Sequence, residues 1–265
     1  MIGRRSRSAF FDKVIWQLAG GAMARAAGRR RTAELSALAP ILVIVGMKRE
    51  AVCAAGEGVT TLCSGANVAR LRQALDALGE TDFSAVVSFG LAGGLDYALR
   101  PGHVVVADAI VGGDARRDTH PRLSSVLMKG AAAAGCKVAP GAIIGVDQPA
   151  MHPAVKAALR EGAQAVAVDM ESHLAEEFAR RRDIPFVALR AISDPAARAL
   201  PPLVAKALTP EGDIHALGVA RELIRGPHQL GGMIRAGLDS RAAFVSLGRC
   251  GPLLGPLLRL VLADL

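Results

Sequence analysis

From about residue 40 the chain alternates short apolar runs with stretches in which apolar residues recur at helical spacing. Apolar runs that end at glycine or polar residues are typical of buried strands; they occur at 41–46, 59–63, 84–90, 102–111, 137–146, 163–168 and 185–194. Helical spacing predicts helices at 67–78, after Pro153 and after Glu171. Strands that alternate with helices indicate βαβ units. We therefore predict an α/β fold, a single domain with a mixed, largely parallel central sheet flanked by helices.

The composition agrees with this fold. Of the 265 residues, 51% are hydrophobic and only 3% are aromatic. A chain of this length can bury a sizeable core, and small aliphatic residues suit helices packed on a parallel sheet. The four cysteines are scattered without metal-ligand spacing, so we interpret them as reduced core residues.

The net charge of +8 is concentrated at the N-terminus. Residues 1–32 contain eight Lys and Arg residues against Asp12 alone, which leaves the rest of the chain close to neutral. A folded domain without a basic face is not typical of a nucleic-acid binder, so no nucleic-acid partner is expected. We divide the chain into a basic N-terminal extension (1–38) and one domain (39–265).

The extension places basic residues beside Phe, Ile, Trp and Leu in "AFFDKVIWQLAGGAMARAAGRRR". This pattern is typical of a helix on an anionic membrane surface, and a disordered extension is the alternative. Asp12 and Lys13 interrupt the apolar run, which argues against a membrane span and a secretory signal. The expected location is cytoplasmic, with peripheral contact at the inner membrane surface through residues 1–32 left open.

Polar and glycine-rich clusters follow four of the predicted strands, at 47–50, 90–94, 169–171 and 193–194. In open α/β sheets, ligands bind at the carboxyl ends of the strands. Each acidic residue also has a purely structural explanation. Glu50 and Glu171 fall at helix starts, where carboxylates are stabilised, and Asp194 before Pro195 is a good N-cap.

Five stretches in this order resemble the nucleoside phosphorylase and nucleosidase superfamily, which includes methylthioadenosine/S-adenosylhomocysteine nucleosidase. They are VGMKRE (45–50), SFGLAGGLDYALRPGHVVVAD (88–108), GVDQPA (145–150), VDMES (168–172) and PFVALRAISD (185–194). Residues 198–248 resemble the hopanoid-associated phosphorylase branch, which is linked to adenine removal from adenosylhopane. The resemblance implies an N-glycosyl hydrolase or nucleoside phosphorylase without a metal or organic cofactor. It also implies a homo-oligomer acting on a small or lipid-linked nucleoside.

The resemblance assigns catalytic roles to two residues. Asp194 would be the general acid that protonates the purine at N7, and Glu50 would activate water. Breaking a ribosyl C–N bond builds positive charge on the sugar and negative charge on the base. A fixed carboxylate stabilises the first charge, and an acid removes the second. This is the two-carboxylate arrangement of inverting glycosidases, transferred by analogy to an N-glycoside.

The same resemblance assigns substrate contacts. Met170 would pack on the ribose, Glu171 would accept hydrogen bonds from its hydroxyls, and Ala92 and Gly93 would line sugar and base with backbone groups. Two further residues, Arg190 and Ser193, would support Asp194. The pair Pro149-Ala150 falls where nucleosidases carry a bulky apolar pair beside the base.

The nucleophile distinguishes two reactions. The first loop, GMKREA, lacks the Gly-Asp of phosphorylases, and Leu91 stands where a hydroxyl would meet phosphate. An apolar side chain cannot satisfy a phosphate oxygen, so hydrolysis is favoured. Phosphorolysis remains the alternative, with Lys48 or Arg49 holding phosphate. A methylthioadenosine/S-adenosylhomocysteine nucleosidase and a non-catalytic nucleoside-binding protein also stay open.

The C-terminal tail "CGPLLGPLLRLVLADL" is almost wholly apolar. It predicts either a helix that closes the core or a lid that contacts hydrocarbon.

Overall fold

The computed structural model describes residues 38–201, 203 and 230–265. In these residues eight strands form one mixed sheet. They are β1 (Ile41–Val45), β2 (Val59–Cys63), β3 (Ala85–Gly94), β4 (Val104–Gly112), β5 (Ala115–Asp118), β6 (Val138–Gly145), β7 (Ala167–Asp169) and β8 (Phe186–Asp194). Five strand pairings are parallel and three are antiparallel. The predicted α/β class with a mixed, largely parallel sheet is confirmed.

Part of the sheet closes on itself, which the sequence did not predict. Strand β3 pairs β8 along most of its length and pairs β7 at Gly93 and Gly94. Strand β8 pairs β4, β4 pairs β6, and β6 pairs β7. The path from β3 through β8, β4, β6 and β7 therefore returns to β3. The closure is possible because β1 pairs β3 only as far as Ser88, which leaves Gly93 and Gly94 to pair with β7 while β8 pairs β3 along most of its length.

Helices cover both faces of the sheet. In the described residues they are α1 (Lys48–Ala54), α2 (Val68–Asp76), α3 (Pro121–Ala133), α4 (Pro153–Ala163), α5 (Ser172–Arg181), α6 (Leu230–Cys250) and α7 (Pro256–Leu262), with a 3₁₀ turn at Gly251–Leu253. Strand β1 shows how alternate side chains serve the two faces. Ile41 and Val43 face a core formed with α3, α6 and α7, whereas Leu42 and Ile44 face a core formed with α2 and α5.

The apolar tail is a closing helix. Leu254 and Leu258 are completely buried, and Leu257 is 4% exposed. All three belong to the core cluster that packs on β1 and β3. The sequence predicted either a closing helix or a lid that contacts hydrocarbon, and the structure shows the closing helix.

Strand β5 was missed at the sequence level. Its sequence ARRD carries no apolar alternation, and three of its four residues are exposed. It forms because the chain turns at Gly113, with φ at +55°, and runs back antiparallel to β4. Backbone pairing and an exposed ion pair between Arg116 and Asp108 hold this edge strand, so periodicity gives no signal for it.

The prediction for the N-terminal extension lies outside the described residues, which begin at 38. In the part of the chain that the structure covers, no single helix has the length and apolar character to cross a membrane. One pair, Leu230–Leu253 with Pro256–Leu262, reaches those limits of length and composition jointly, with a bend of 44° between its members.

Candidate active site

The ends of β1, β3, β7 and β8 meet around a cavity of about 170 Å³. This is the meeting of strand exits that the sequence predicted. The cavity is lined by Gly46, Met47, Glu50, Ala66, Leu91, Ala92, Gly93, Val146, Pro149, Ala150, Val168, Asp169, Met170, Glu171, Ser193, Asp194 and Leu200. Seven of the eight predicted site residues are among them, and Arg190 is the exception.

Glu50 is held by backbone N–H groups. It lies in the first turn of α1, and its Oε2 accepts hydrogen bonds from Gly46 N at 2.7 Å and Met47 N at 2.8 Å. Its Oε1 accepts a third from Leu91 N at 2.8 Å, which ties α1 to β3. Burial raises the pKa of Glu50, and the charge of Arg190 with the three backbone donors opposes that rise. The helix-start explanation is correct, and the carboxylate also reaches the cavity.

Glu171 lies across Gly46 from Glu50. A Cβ at position 46 would lie 2.8 Å from Glu171 Oε1 and 3.3 Å from Glu50 Oε2, so only glycine lets both carboxylates approach. Ser64 donates to Glu171 Oε1 at 3.1 Å. Burial raises the pKa of Glu171 to about 7, Arg190 opposes the rise, and the nearby Asp169 and Glu50 add to it. Ser64 follows β2 and was not identified from the sequence.

Arg190 supports Glu171 rather than Asp194, which corrects its predicted role. It is completely buried on β8, with Nε 2.6 Å from Asp169 Oδ2 and Nη2 3.3 Å from Glu171 Oε2. Its Nη2 also donates to Ser88 Oγ at 2.5 Å. Burial alone would lower the pKa of Arg190, but the neighbouring carboxylates raise it. Arg190 pairs with Gly90 and Asp194 pairs with Gly93 of β3, so the two side chains lie at different levels of the site, with the register shift between them.

Asp194 pairs with a lysine that the sequence analysis did not identify. The Lys156 ammonium, on α4, donates to Asp194 Oδ2, and Ser193 Oγ donates to Asp194 Oδ1 at 2.7 Å. Lys156 is 1% exposed and Asp194 is 5% exposed. The predicted contact of Ser193 with Asp194 is therefore present. On α4, Lys156, Leu159, Arg160 and Ala163 share the inward face at i, i+3, i+4 and i+7, and that spacing was the available signal.

The two cations considered for phosphate binding do not line the cavity. Lys48 and Arg49 are exposed residues of α1. The Arg49 guanidinium lies 4.1 Å from the centre of the Phe244 ring of α6. Leu91 lines the cavity.

The cavity is acidic. Four carboxyl side chains line it, and within residues 38–201, 203 and 230–265 no Lys or Arg does. A cavity of this kind stabilises positive charge that develops on a bound molecule. The same part of the chain contains no group of three or more His, Cys, Asp or Glu side chains placed to hold a metal ion.

A family model described as the phosphorylase superfamily matches residues 34–211. The chain belongs to the phosphorylase superfamily. The match spans all five sequence stretches that suggested the family and every residue of the cavity. The expectation of a nucleosidase or nucleoside phosphorylase is confirmed at that level.

Solved structures with this superfamily fold superpose over most of the chain. The 5′-methylthioadenosine/S-adenosylhomocysteine nucleosidase of Helicobacter pylori with butyl-thio-DADMe-Immucillin-A has a TM-score of 0.60 and 16% identity, covering 84% of this chain and 98% of its own. The nucleosidase of Neisseria meningitidis has a TM-score of 0.58 and 19% identity, covering 80% and 96%. Futalosine hydrolase of Helicobacter pylori has a TM-score of 0.57 and 15% identity, covering 80% and 97%. At these identities the likeness shows the fold. Comparison with curated proteins gave no match.

Proposed function

We propose that this superfamily member hydrolyses the N-glycosidic bond of a purine nucleoside. One observation carries the proposal: Glu50, Asp169, Glu171 and Asp194 line one cavity that contains no Lys or Arg of the described chain. Departure of a purine leaves positive charge on the ribosyl ring, and an acidic cavity stabilises that charge. The same acidity disfavours an anionic nucleophile such as phosphate.

The residues divide the reaction between them. Met170 and Glu171 hold the ribose, with the carboxylate accepting hydrogen bonds from its hydroxyls. Asp194, on the opposite strand end, faces the purine and passes a proton to N7, so the base leaves as a neutral molecule. Glu50 takes a proton from the water that attacks the anomeric carbon. Positioned proton transfer of this kind contributes roughly 10²–10⁴-fold in rate.

Water is favoured over phosphate as the nucleophile. The oxygens of Glu50 already accept three backbone N–H groups, which fixes the carboxylate in place as a base. Arg190, the nearest guanidinium, is completely buried and engaged with Asp169, Glu171 and Ser88. Phosphorolysis would need a phosphate-binding cation, and Arg49 lies over Phe244 instead.

For the substrate we propose a lipid-linked adenine nucleoside, adenosylhopane, in hopanoid biosynthesis. The resemblance of residues 198–248 to the hopanoid-associated branch supports this choice. The first half of α6 lies beside the cavity rim: Gly232 approaches Pro201, next to the rim residue Leu200, and Arg198 pairs with Asp239. That half exposes Leu230, Ile234 and Leu238, each at least 49% exposed, on one side of the helix. By helical spacing these three side chains lie on the side of α6 away from Gly232 and Asp239, so they do not line the cavity, and the choice of substrate rests on the sequence resemblance.

A second candidate is a nucleosidase for methylthioadenosine or S-adenosylhomocysteine. The names of two of the superposed structures are those of such nucleosidases, which favours it. In either case we propose a cytoplasmic homo-oligomer. For the lipid-linked substrate we add peripheral membrane contact through residues 1–32.

The test is product analysis after incubation with adenosylhopane, methylthioadenosine and S-adenosylhomocysteine, each with and without phosphate. We expect adenine and a free ribosyl sugar, fastest from adenosylhopane and independent of phosphate. If a ribose 1-phosphate product forms, and only when phosphate is present, the reaction is phosphorolysis and not hydrolysis. Faster adenine release from methylthioadenosine or S-adenosylhomocysteine than from adenosylhopane would contradict the proposed lipid-linked substrate and support the second candidate. Binding of all three without adenine release would indicate a non-catalytic nucleoside-binding protein.

A further inference from the structure

A lysine with no access to solvent contacts the carboxyl group that faces the purine. Lys156 is 1% exposed, and all three of its ammonium hydrogens have acceptors. One is Asp194 Oδ2, and the others are Pro195 O at 3.0 Å and Arg198 O at 3.3 Å. Removing a charge from water costs several kcal/mol. Burying the Lys156 ammonium therefore costs folding free energy, which suggests that its charge has a role at Asp194.

Through Asp194, the pair shares the cavity with three further carboxyl groups, those of Glu50, Asp169 and Glu171. Beside Asp194, β3 presents Gly93, and β7 presents Val168. The charged residues on the surrounding elements each have a partner elsewhere: Asp169 with Arg190, Arg198 with Asp239, and Arg160 with Asp96. Within the described residues, Lys156 and Asp194 thus form a neutral pair that holds one transferable proton.

We propose that Lys156 is a positioning residue that supplies, through Asp194, the proton that the departing purine takes up at N7. The inference rests on the proposed function. An ion pair keeps the proton on nitrogen and leaves Asp194 as a carboxylate. As the C1′–N9 bond breaks, its electron pair moves onto the purine, which becomes basic. Lys156 passes a proton to the Asp194 carboxylate and becomes a neutral amine, and Asp194 passes a proton to N7, so that it ends the step as a carboxylate again.

The balance of the reaction is complete. The attacking water forms the new C1′–O bond and gives its proton to Glu50. One water is consumed, and adenine and the free sugar are released. The proton on Glu50 equals the proton lost by Lys156, and exchange with solvent resets both groups after product release.

The consequence concerns activity at high pH. A lysine ammonium holds its proton to a far higher pH than an aspartic acid does. The wild type therefore keeps its acid function well into alkaline pH. Without the lysine, the proton must reside on the Asp194 carboxyl and is lost at lower pH.

The test measures kcat/KM from pH 5 to pH 10 for adenine release from methylthioadenosine, in the wild type and three variants. We expect Lys156→Met to move the alkaline limb of the profile at least one unit toward lower pH, and Lys156→Arg to move it back. Lys129→Met, which removes an exposed lysine of α3, is the matched control and should reproduce the wild-type profile. If Lys156→Met lowers kcat/KM by the same factor at every pH and leaves the alkaline limb where it is in the wild type, then Lys156 has only a structural role and the inference is overturned.

A second measurement uses only the wild type and decides the question even where the variants fail to fold. The substrate 4-nitrophenyl β-D-riboside has a leaving group that departs without protonation. We expect kcat/KM of the wild type to fall at alkaline pH with the purine nucleoside. With the nitrophenyl riboside we expect no such fall. The same limb with both substrates would overturn the role of Lys156 and leave the proposed function standing. Failure of the wild type to cleave adenosylhopane, methylthioadenosine or the nitrophenyl riboside would remove the proposed function, and this inference with it.

Discussion

Arg190 Nη2 lies 3.3 Å from Glu171 Oε2, with the arginine side chain fully buried and the glutamate side chain 7% exposed. The same guanidinium reaches Asp169 and Ser88, so one buried cation supports β7, β3 and the start of α5. Breaking a buried pair by removing one partner leaves an uncompensated charge. The position of Glu171 in the cavity is thus coupled to the stability of the fold.

Glu171 should make the folded protein less stable as pH rises. Burial raises its pKa to about 7, above its ordinary value, so the folded state holds this proton more tightly than the unfolded state does. The resulting stabilisation is present below about pH 4.5 and is lost as pH rises through about 7. Glu171→Gln does not titrate. We expect the wild type to lose on the order of 2 kcal/mol more unfolding free energy than Glu171→Gln between pH 5 and pH 8.

Urea unfolding at pH 5, 6, 7 and 8 measures this difference. Glu177→Gln is the matched control, because Glu177 is 39% exposed and pairs with Arg72 only at 3.9 Å. That variant should follow the wild-type pH dependence. Parallel curves for the wild type and Glu171→Gln would contradict the raised pKa of Glu171.

Gly90→Ala should damage activity through Glu50. A Cβ at position 90 would lie 2.7 Å from Glu50 Cδ and 2.7 Å from Arg190 Nη1, and Gly90 has φ at +156°. Both side chains would have to move, and a displacement of about 1 Å in a catalytic group can cost about 10²-fold. We expect kcat/KM to fall by that order. Gly56→Ala is the control, since a Cβ there has nothing within 4 Å; equal activities for the two variants would contradict the tight packing at Glu50.

Leu258→Ala should destabilise the whole domain. Leu258 on α7 is completely buried in the core beside β1 and β3. Truncating a buried leucine leaves a cavity and typically costs about 2–5 kcal/mol. Leu265→Ala, at a side chain that is 58% exposed, should change the unfolding free energy by less than about 0.5 kcal/mol. Similar small effects at both positions in urea unfolding would mean that the tail does not close the core.

Much of this arrangement could be predicted from the sequence. Apolar runs located the buried strands, and the polar residues after them marked the strand ends that surround the cavity. The positions of Glu50, Glu171 and Asp194 at strand ends are visible in local stretches, whereas their roles were implied by the resemblance to the nucleosidase superfamily. Their meeting around a single cavity followed from the direction of parallel strands.

The rest depends on contacts between distant stretches. Closure of the sheet requires β3 to bend and pair β7, and no local pattern encodes that pairing. Lys156 shares the inward face of α4 with Leu159 and Ala163, but the helical spacing alone does not show that this face meets Asp194 from a distant strand. The resemblance implied that Arg190 supports Asp194, whereas its partners Asp169 and Glu171 come from another strand end.

The central claim is that an acidic cavity cleaves the glycosidic bond with Asp194 facing the purine. The most direct measurement is adenine release and equilibrium nucleoside binding by the wild type and Asp194→Asn, side by side. We expect the variant to bind methylthioadenosine within about threefold of the wild type, which also shows that it folds, and to release adenine roughly 10²–10⁴-fold more slowly. Adenine release by Asp194→Asn at the wild-type rate would contradict the account.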